Sequence, residues 1–261
     1  MLYMKQFLFS AVLFLGLLLT ACSSSKSGIP DVAAPLENIK TDTLVLFDRA
    51  RDRSIPVAYY YNRKSKPTKG VIFFSHGYGA NKGGDYLAYS YLTTFLASHG
   101  YFVVSLQHEL PSDELLPMTG DLQQVRKPNW QRGSDNLLFV LKSLKFSRPE
   151  MNYNQLTLIG HSNGGDMTML FAAQHPEDIV KAISLDNRRM LLPRVSSPKI
   201  YSLRSADLPA DQWVIPTKAE QEKYGITVIT LPKTNHSDMD DKGTAAQKEE
   251  IQNYILGFLK E

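Results

Sequence analysis

The stretch Leu156-Thr157-Leu158-Ile159-Gly160-His161-Ser162-Asn163-Gly164-Gly165 constrains this chain more than any other segment: a short apolar run enters G-x-S-x-G and leaves as a helical pattern. Such a strand-to-helix turn holds its central serine in backbone geometry that side chains normally avoid, and it needs glycines where a Cβ would strike neighbouring main chain. The hydroxyl then projects from a strand end, beside a helix N-terminus that favours developing negative charge. Ser162 is therefore the expected nucleophile.

A turn of this kind requires a parallel sheet around it, and the rest of the pattern supplies one. Residues 43–47 and 55–61, joined by a charged turn at 48–53, read as an antiparallel hairpin. Apolar runs at 71–75, 101–106, 156–159, 182–185, 200–203 and 227–231 read as strands. Between them lie expected helices at 84–99, 130–144, 164–174 and 217–224, with a last helix at 244–259. This alternation predicts an α/β fold, a mostly parallel doubly wound sheet with an antiparallel N-terminal hairpin. Chemistry in such sheets sits at the carboxyl ends of strands, in the loops after Ser75, Gly160, Leu185, Leu203 and Leu231.

Those loops hold the remaining candidates. Phe73-Phe74-Ser75-His76-Gly77-Tyr78-Gly79 is a strand running into H-G-x-G, a loop that turns a backbone N–H toward a scissile carbonyl. The oxyanion donors would be the amides of Tyr78 and Asn163, and His76 would brace the loop. The general base should follow the last strand, where His236 is the histidine present. His99 and His175 fall at helix ends, His161 inside the elbow and His108 after a strand. The orienting acid is Asp186, after the strand that follows the elbow, with Asp211 and Asp207 one strand later as alternatives. Arg132 and Asp135, one helical turn apart, read as a structural pair. Asn187-Arg188-Arg189 reads as a solvated turn or as a grip for an anionic substrate group. Leu110, Leu115, Leu116 and Met118 could wall an acyl site or belong to the core. No His, Cys or Asp spacing suggests a metal and no motif suggests a cofactor.

The N-terminus carries a different message. After Lys5, residues 7–19 are apolar but too short to span a bilayer, which takes about 20 residues. They end in Leu19-Thr20-Ala21-Cys22, which resembles a bacterial lipobox. That resemblance implies cleavage before Cys22 and a diacylglycerol on its thiol; as the sole cysteine, Cys22 has no intramolecular disulfide partner. Residues 23–35, rich in Ser, Gly, Pro and Ala, read as a tether. The expected organisation is a signal peptide at 1–21, a lipidated tether at 22–40 and one catalytic domain at 41–261. By resemblance to Gram-negative lipoprotein sorting, Ser23 rather than Asp after the cysteine implies the outer membrane of the cell envelope. Lys and Arg number 29 against 26 Asp and Glu, with no basic run, so nucleic acid is not an expected partner.

Together, the H-G-x-G loop, the elbow, His236 and the Leu96-Ala97-Ser98-His99-Gly100 segment resemble the α/β-hydrolase superfamily. The likeness is to its branch of platelet-activating-factor acetylhydrolases, dienelactone hydrolases and cutinase-like polyester hydrolases. The acetylhydrolases place the acid in an Leu-Asp pair matching Leu185-Asp186, whereas cutinase-like members place it near Asp207 or Asp211. Only residues 187–199 separate two strands where many lipases insert a lid, so no separate cap domain is expected. The implied activity is hydrolysis of small, short-acyl or phospholipid-derived carboxylic esters. A peptidase or acyltransferase using the same triad, or a catalytically idle binding lipoprotein, are the alternatives; the oligomeric state is left open.

Overall fold

The computed structural model describes residues 33–261. The expected signal peptide, Cys22 and most of the expected tether lie outside the described residues.

Strands β1 (Ile39–Asp48) and β2 (Arg53–Asn62) pair antiparallel along their whole lengths, from Ile39 opposite Asn62 to Asp48 opposite Arg53. Strands β3 (Gly70–Ser75), β4 (Tyr101–Leu106), β5 (Thr157–His161), β6 (Lys181–Leu185), β7 (Lys199–Arg204) and β8 (Thr227–Thr230) run parallel to one another. They complete one eight-stranded sheet in the order β1-β2-β4-β3-β5-β6-β7-β8. This is the α/β architecture expected, a mostly parallel sheet with an antiparallel start. The helices are α1 (Ser90–Ser98), α2 (Leu122–Val125), α3 (Lys127–Ser147), α4 (Ser162–Gln174), α5 (Lys218–Tyr224) and α6 (Ala245–Lys260).

Every residue of β3, β4, β5 and β6 is buried, as a sheet covered on both faces demands. Alternate residues of one strand enter opposite cores. Val71 and Phe73 pack with Leu137, Leu141 and Phe171 of α3 and α4, while Ile72 and Phe74 pack with Leu92, Leu96 and Ile255 of α1 and α6. From β3 the chain moves to β4 on one side, then crosses to β5 on the other side of β3. The carboxyl ends of β3 and β5 therefore border the crevice where such sheets carry their sites.

Several boundaries differ from expectation for local reasons. The fold begins before residue 41: Leu36–Asn38 form a 3₁₀ turn, β1 starts at Ile39, and the Ala34 N–H donates to the Ser98 carbonyl at 2.8 Å. The helix expected over 84–99 is limited to α1, because Gly83 and Gly84 adopt φ of 81° and 83° and a 3₁₀ turn at Asp85–Leu87 intervenes. Thr217 and Thr244 cap α5 and α6 in capping boxes with Glu220 and Gln247, so each helix starts one residue later than its cap. Arg132 and Asp135 do not pair. Arg132 lies 3.6 Å from Asp113, which also binds Arg53 at 2.8 Å, and the Asp135 carboxylate accepts from Gln131 at 2.9 Å.

Phe73 is 1% exposed at the centre of the sheet. Phe73→Ala should lower stability by about 3–5 kcal/mol, the cost of the lost transfer and the cavity left behind, read as a fall in the urea midpoint at constant m-value.

Candidate active site

The site grows from the turn between β5 and α4. Ser162 is the first residue of α4 and adopts φ 53°, a left-handed conformation costing a β-carbon-bearing residue about 1–3 kcal/mol. The turn closes only because two glycines let main chain pass main chain. A Cβ on Gly160 would sit 2.3 Å from the Gly164 carbonyl oxygen, and one on Gly164 would sit 2.3 Å from the His76 carbonyl oxygen. Gly164 thereby clasps α4 against the end of β3, bringing the H-G-x-G loop beside the serine.

Ser162 Oγ lies 2.9 Å from His236 Nε2, and His236 Nδ1 lies 2.6 Å from Asp186 Oδ2. The Nδ1–H donates to the carboxylate and leaves Nε2 to accept from the serine hydroxyl, the arrangement a general base requires. His236 opens a short 3₁₀ turn after β8, and Asp186 follows β6 at φ 54°. Of the three candidate acids, only Asp186 meets the imidazole in these contacts. Asp207 instead accepts the backbone N–H of His236 at 2.8 Å, and Asp211 pairs with Arg189.

Asp186 is fully buried, and burial alone would push its carboxyl up. The hydrogen bond from His236, the charge of Arg204 and two hydrogen bonds from Ser205 outweigh that effect and hold it below the ordinary carboxylate value. Arg204 Nη2 stands 2.9 Å from Oδ1, while the Ser205 N–H and hydroxyl donate at 3.0 and 2.7 Å. Neither Arg204 nor Ser205 was singled out from sequence. The available signal was an arginine ending the apolar run of β7, a place where a buried charge needs a partner.

A second set of contacts fixes the histidine from behind. The Gly77 N–H donates to the Tyr89 hydroxyl at 2.9 Å, and that hydroxyl meets His161 Nδ1 at 2.7 Å. His161 Nε2 lies 3.1 Å from the His236 carbonyl oxygen. For this chain to be satisfied, the imidazole of His161 must be neutral, with its proton on Nε2. Burial first, and then the neighbouring His236, push its pKa down to about 3, in keeping with that state. His161, which sequence reasoning left without a partner, thus joins the H-G-x-G loop to the triad loop.

The two expected oxyanion residues flank Ser162. Tyr78 follows Gly77 in the H-G-x-G loop, and its hydroxyl accepts from the Leu116 N–H at 3.0 Å. Asn163 is the second residue of α4, so its amide is among the first N–H groups, which lack an intrahelical acceptor. Its buried side chain accepts from the Trp130 indole at 2.9 Å and donates to Glu109 at 2.8 Å and Asn129 at 2.9 Å, tying the elbow to α3. His76 braces the loop, its ring reaching the Gly77 carbonyl at 2.7 Å and accepting the His108 N–H at 3.0 Å.

Two small clefts meet at Ser162, His236 and Tyr78. One, of about 230 Å³, is walled by Leu116, Met118, Arg126, Asp166, Arg188 and Arg189. The other, of about 240 Å³, is walled by Gly79, Asp85, Tyr89, Asp240 and Lys242. Leu116 is buried and Met118 exposed, so the loop after β4 contributes both core and cleft wall. Hollows of about 600 and 660 Å³ lie along α6 and beside α1, and neither touches the triad. Among the described residues one trio has metal-capable side chains within reach of each other: His175, Glu177 and Asp178, just beyond the far end of α4, where Asp178 is bound by Lys145 at 3.0 Å.

A serine, a histidine and a buried aspartate at the carboxyl edge of this sheet define an α/β-hydrolase. A model of the chlorophyllase family matches residues 56–186, half of the chain, and the protein belongs to that family. The match ends on Asp186, so it spans the elbow and the H-G-x-G loop but stops short of His236. No curated protein matches the sequence. Among solved structures, the chain is similar to a dienelactone hydrolase-like promiscuous phosphotriesterase from metagenomic libraries, at 14% identity and a TM-score of 0.64 over 85% of this chain and 98% of that one. A bacterial heroin esterase aligns at 14% identity and 0.63 over 88% and 86%. A lidless α/β serine hydrolase from Xanthomonas campestris aligns at 16% and 0.56 over 85% and 96%. These likenesses establish the fold.

Because its native pKa is depressed, Asp186 stabilises the fold fully above the ordinary carboxylate value of about 3.9 and loses that contribution as pH falls through the lower native value. The stability gap between the wild type and Asp186→Asn, measured by urea unfolding, should hold from pH 7 to about 5 and shrink below about pH 4.

Proposed function

We propose that the protein is a serine carboxylic-ester hydrolase acting on small or short-acyl esters. The observation that carries this reading is the aligned relay from Ser162 Oγ through both ring nitrogens of His236 to buried Asp186. Ser162 Oγ attacks the acyl carbon while His236 Nε2 takes its proton, and the carbonyl oxygen becomes an oxyanion facing the amides of Tyr78 and Asn163. The tetrahedral adduct collapses as His236 returns the proton to the departing alcohol, leaving an acyl-serine. Water, deprotonated by His236, then cleaves the acyl-serine and restores the hydroxyl. Asp186 keeps the proton on Nδ1 and stabilises the imidazolium throughout.

The clefts support small groups on either side of the scissile bond, since each is below the 300–1,000 Å³ usual for drug-sized ligands. The segment between β6 and β7 contains no helix that could act as a cap. The likeness to a bacterial heroin esterase and to a dienelactone hydrolase-like promiscuous phosphotriesterase also favours ester substrates. Envelope anchoring through a lipid on Cys22, in the outer membrane, belongs to the same reading and rests on the sequence around that cysteine. Among the described residues no helix is long and apolar enough to cross a membrane.

A fluorophosphonate probe should label Ser162 and fail on Ser162→Ala, and p-nitrophenyl esters from acetate to palmitate should be cleaved best at the short end. Asp186→Asn should lose on the order of 10⁴ in turnover, and Asp207→Asn and Asp211→Asn much less. An unlabelled, correctly folded wild type would overturn the serine mechanism; cleavage of amides alone would favour a peptidase. For the anchor, the full chain should incorporate labelled palmitate and Cys22→Ala should not.

A further inference from the structure

One wall of the 230 Å³ cleft is lined by three arginines, Arg126, Arg188 and Arg189. Two of them are already engaged. Arg189 pairs with Asp211, and Arg126 donates to the Pro117 carbonyl at 2.8 Å and approaches Met118 Sδ at 3.2 Å. Among the described residues, Arg188 has neither a side-chain hydrogen bond nor an ion pair, and its Nε is buried without an acceptor. That Nε is closed off, as is that of Arg189, but the terminal nitrogens of the half-buried Arg188 are not, so this guanidinium, with no acceptor in the described chain, stands open to one that enters the cleft.

The carboxylates nearby do not fill that role. Asp211 is held by Arg189. Asp166 also borders the cleft, but its Oδ1 takes the Arg189 and Met190 N–H groups at 2.9 and 2.7 Å, and burial pushes its carboxyl up, toward the neutral form. Arg126 is in turn held below its usual value, by burial first and then by the charges of Arg189 and Arg188, so the arginines stand close enough to repel one another. An anion between them would relieve that repulsion, and a guanidinium fork suits the paired oxygens of a carboxylate or phosphate.

We propose that Arg188, flanked by Arg126, forms an oxyanion-recognition subsite that selects esters bearing a carboxylate or phosphate next to the scissile bond. The assignment rests on the ester-hydrolase reading of Ser162, because the same small cleft holds both the nucleophile and the arginines.

The test compares mono-p-nitrophenyl glutarate with neutral p-nitrophenyl butyrate. The wild type should favour the anionic ester in kcat/KM, and Arg188→Gln should lower the ratio of anionic to neutral rates by on the order of 10–100-fold. Arg188→Lys, which keeps the charge but not the fork, should recover part of the ratio. Direct binding of glutarate and of inorganic phosphate to Ser162→Ala, followed by calorimetry with and without Arg188→Gln, separates a carboxylate ligand from a phosphate one. A ratio within twofold of wild type in Arg188→Gln, together with equal anion binding, would overturn the subsite. Absence of all hydrolysis and of serine labelling, with glutarate or phosphate binding still lost in Arg188→Gln, would overturn the hydrolase reading and leave the anion site standing.

Discussion

Everything at this site depends on main chain passing main chain at the β5–α4 turn. With Gly160 and Gly164 in place, α4 approaches both its own strand and the end of β3 to distances that a Cβ would forbid. Two results follow from one constraint. Ser162 is turned to φ 53° with its hydroxyl at the strand end, and the H-G-x-G loop is drawn beside it. The strain at Ser162, about 1–3 kcal/mol, persists because the fully buried strands on either side over-determine the turn.

Asp186 meets a similar demand in a different way. It too stands at positive φ, held there by its N–H donating to the Leu203 carbonyl at 2.8 Å. A carboxylate with no solvent exposure would tend to protonate, and a neutral acid orients imidazole poorly. Arg204 and Ser205, from the end of the neighbouring strand, keep it ionised, so the relay depends on β7 although no triad member lies there. The His161 and Tyr89 contacts restrain the other side of His236 by its main chain, which leaves its ring nitrogens to Ser162 and Asp186.

What could be read from sequence follows from how local each signal is. Ser162, Asn163 and Tyr78 lie in contiguous motifs, and the strand alternation that places them depends on short-range periodicity. That His236 and Asp186 would meet was legible because chain order and strand ends restrict where an expected base and acid can stand. The supporting contacts were not. Tyr89 meets His161 across 72 residues and Arg53 meets Asp113 across 60, pairings set by sheet order and by no spacing. The Arg132–Asp135 expectation failed for the same reason in reverse, since helical proximity lost to a half-buried acid on a distant loop. Asp207 shows the limit of motif reasoning: it does touch His236, but through the backbone N–H and not the ring.

The two clefts at Ser162 are unlike in charge, and that asymmetry gives the site a direction. On one side Asp240 is tied to Lys242 at 3.2 Å and Asp85 accepts from Gln107 at 3.1 Å, so the acids there are matched by nearby donors. On the other side the lining holds three arginines and the buried Asp166, with Arg189 paired to Asp211. A unit charge about 5 Å from a guanidinium, at an effective dielectric near 20, interacts by on the order of 3 kcal/mol, larger than one ordinary neutral hydrogen bond. If the arginine side takes an anion as proposed, a ligand with one anionic end has one favoured orientation across Ser162. The hydrophobic walls, Leu116 and Met118, lie on that same arginine side, so the apolar contact area and the charge favour the same end of a small amphiphilic ligand.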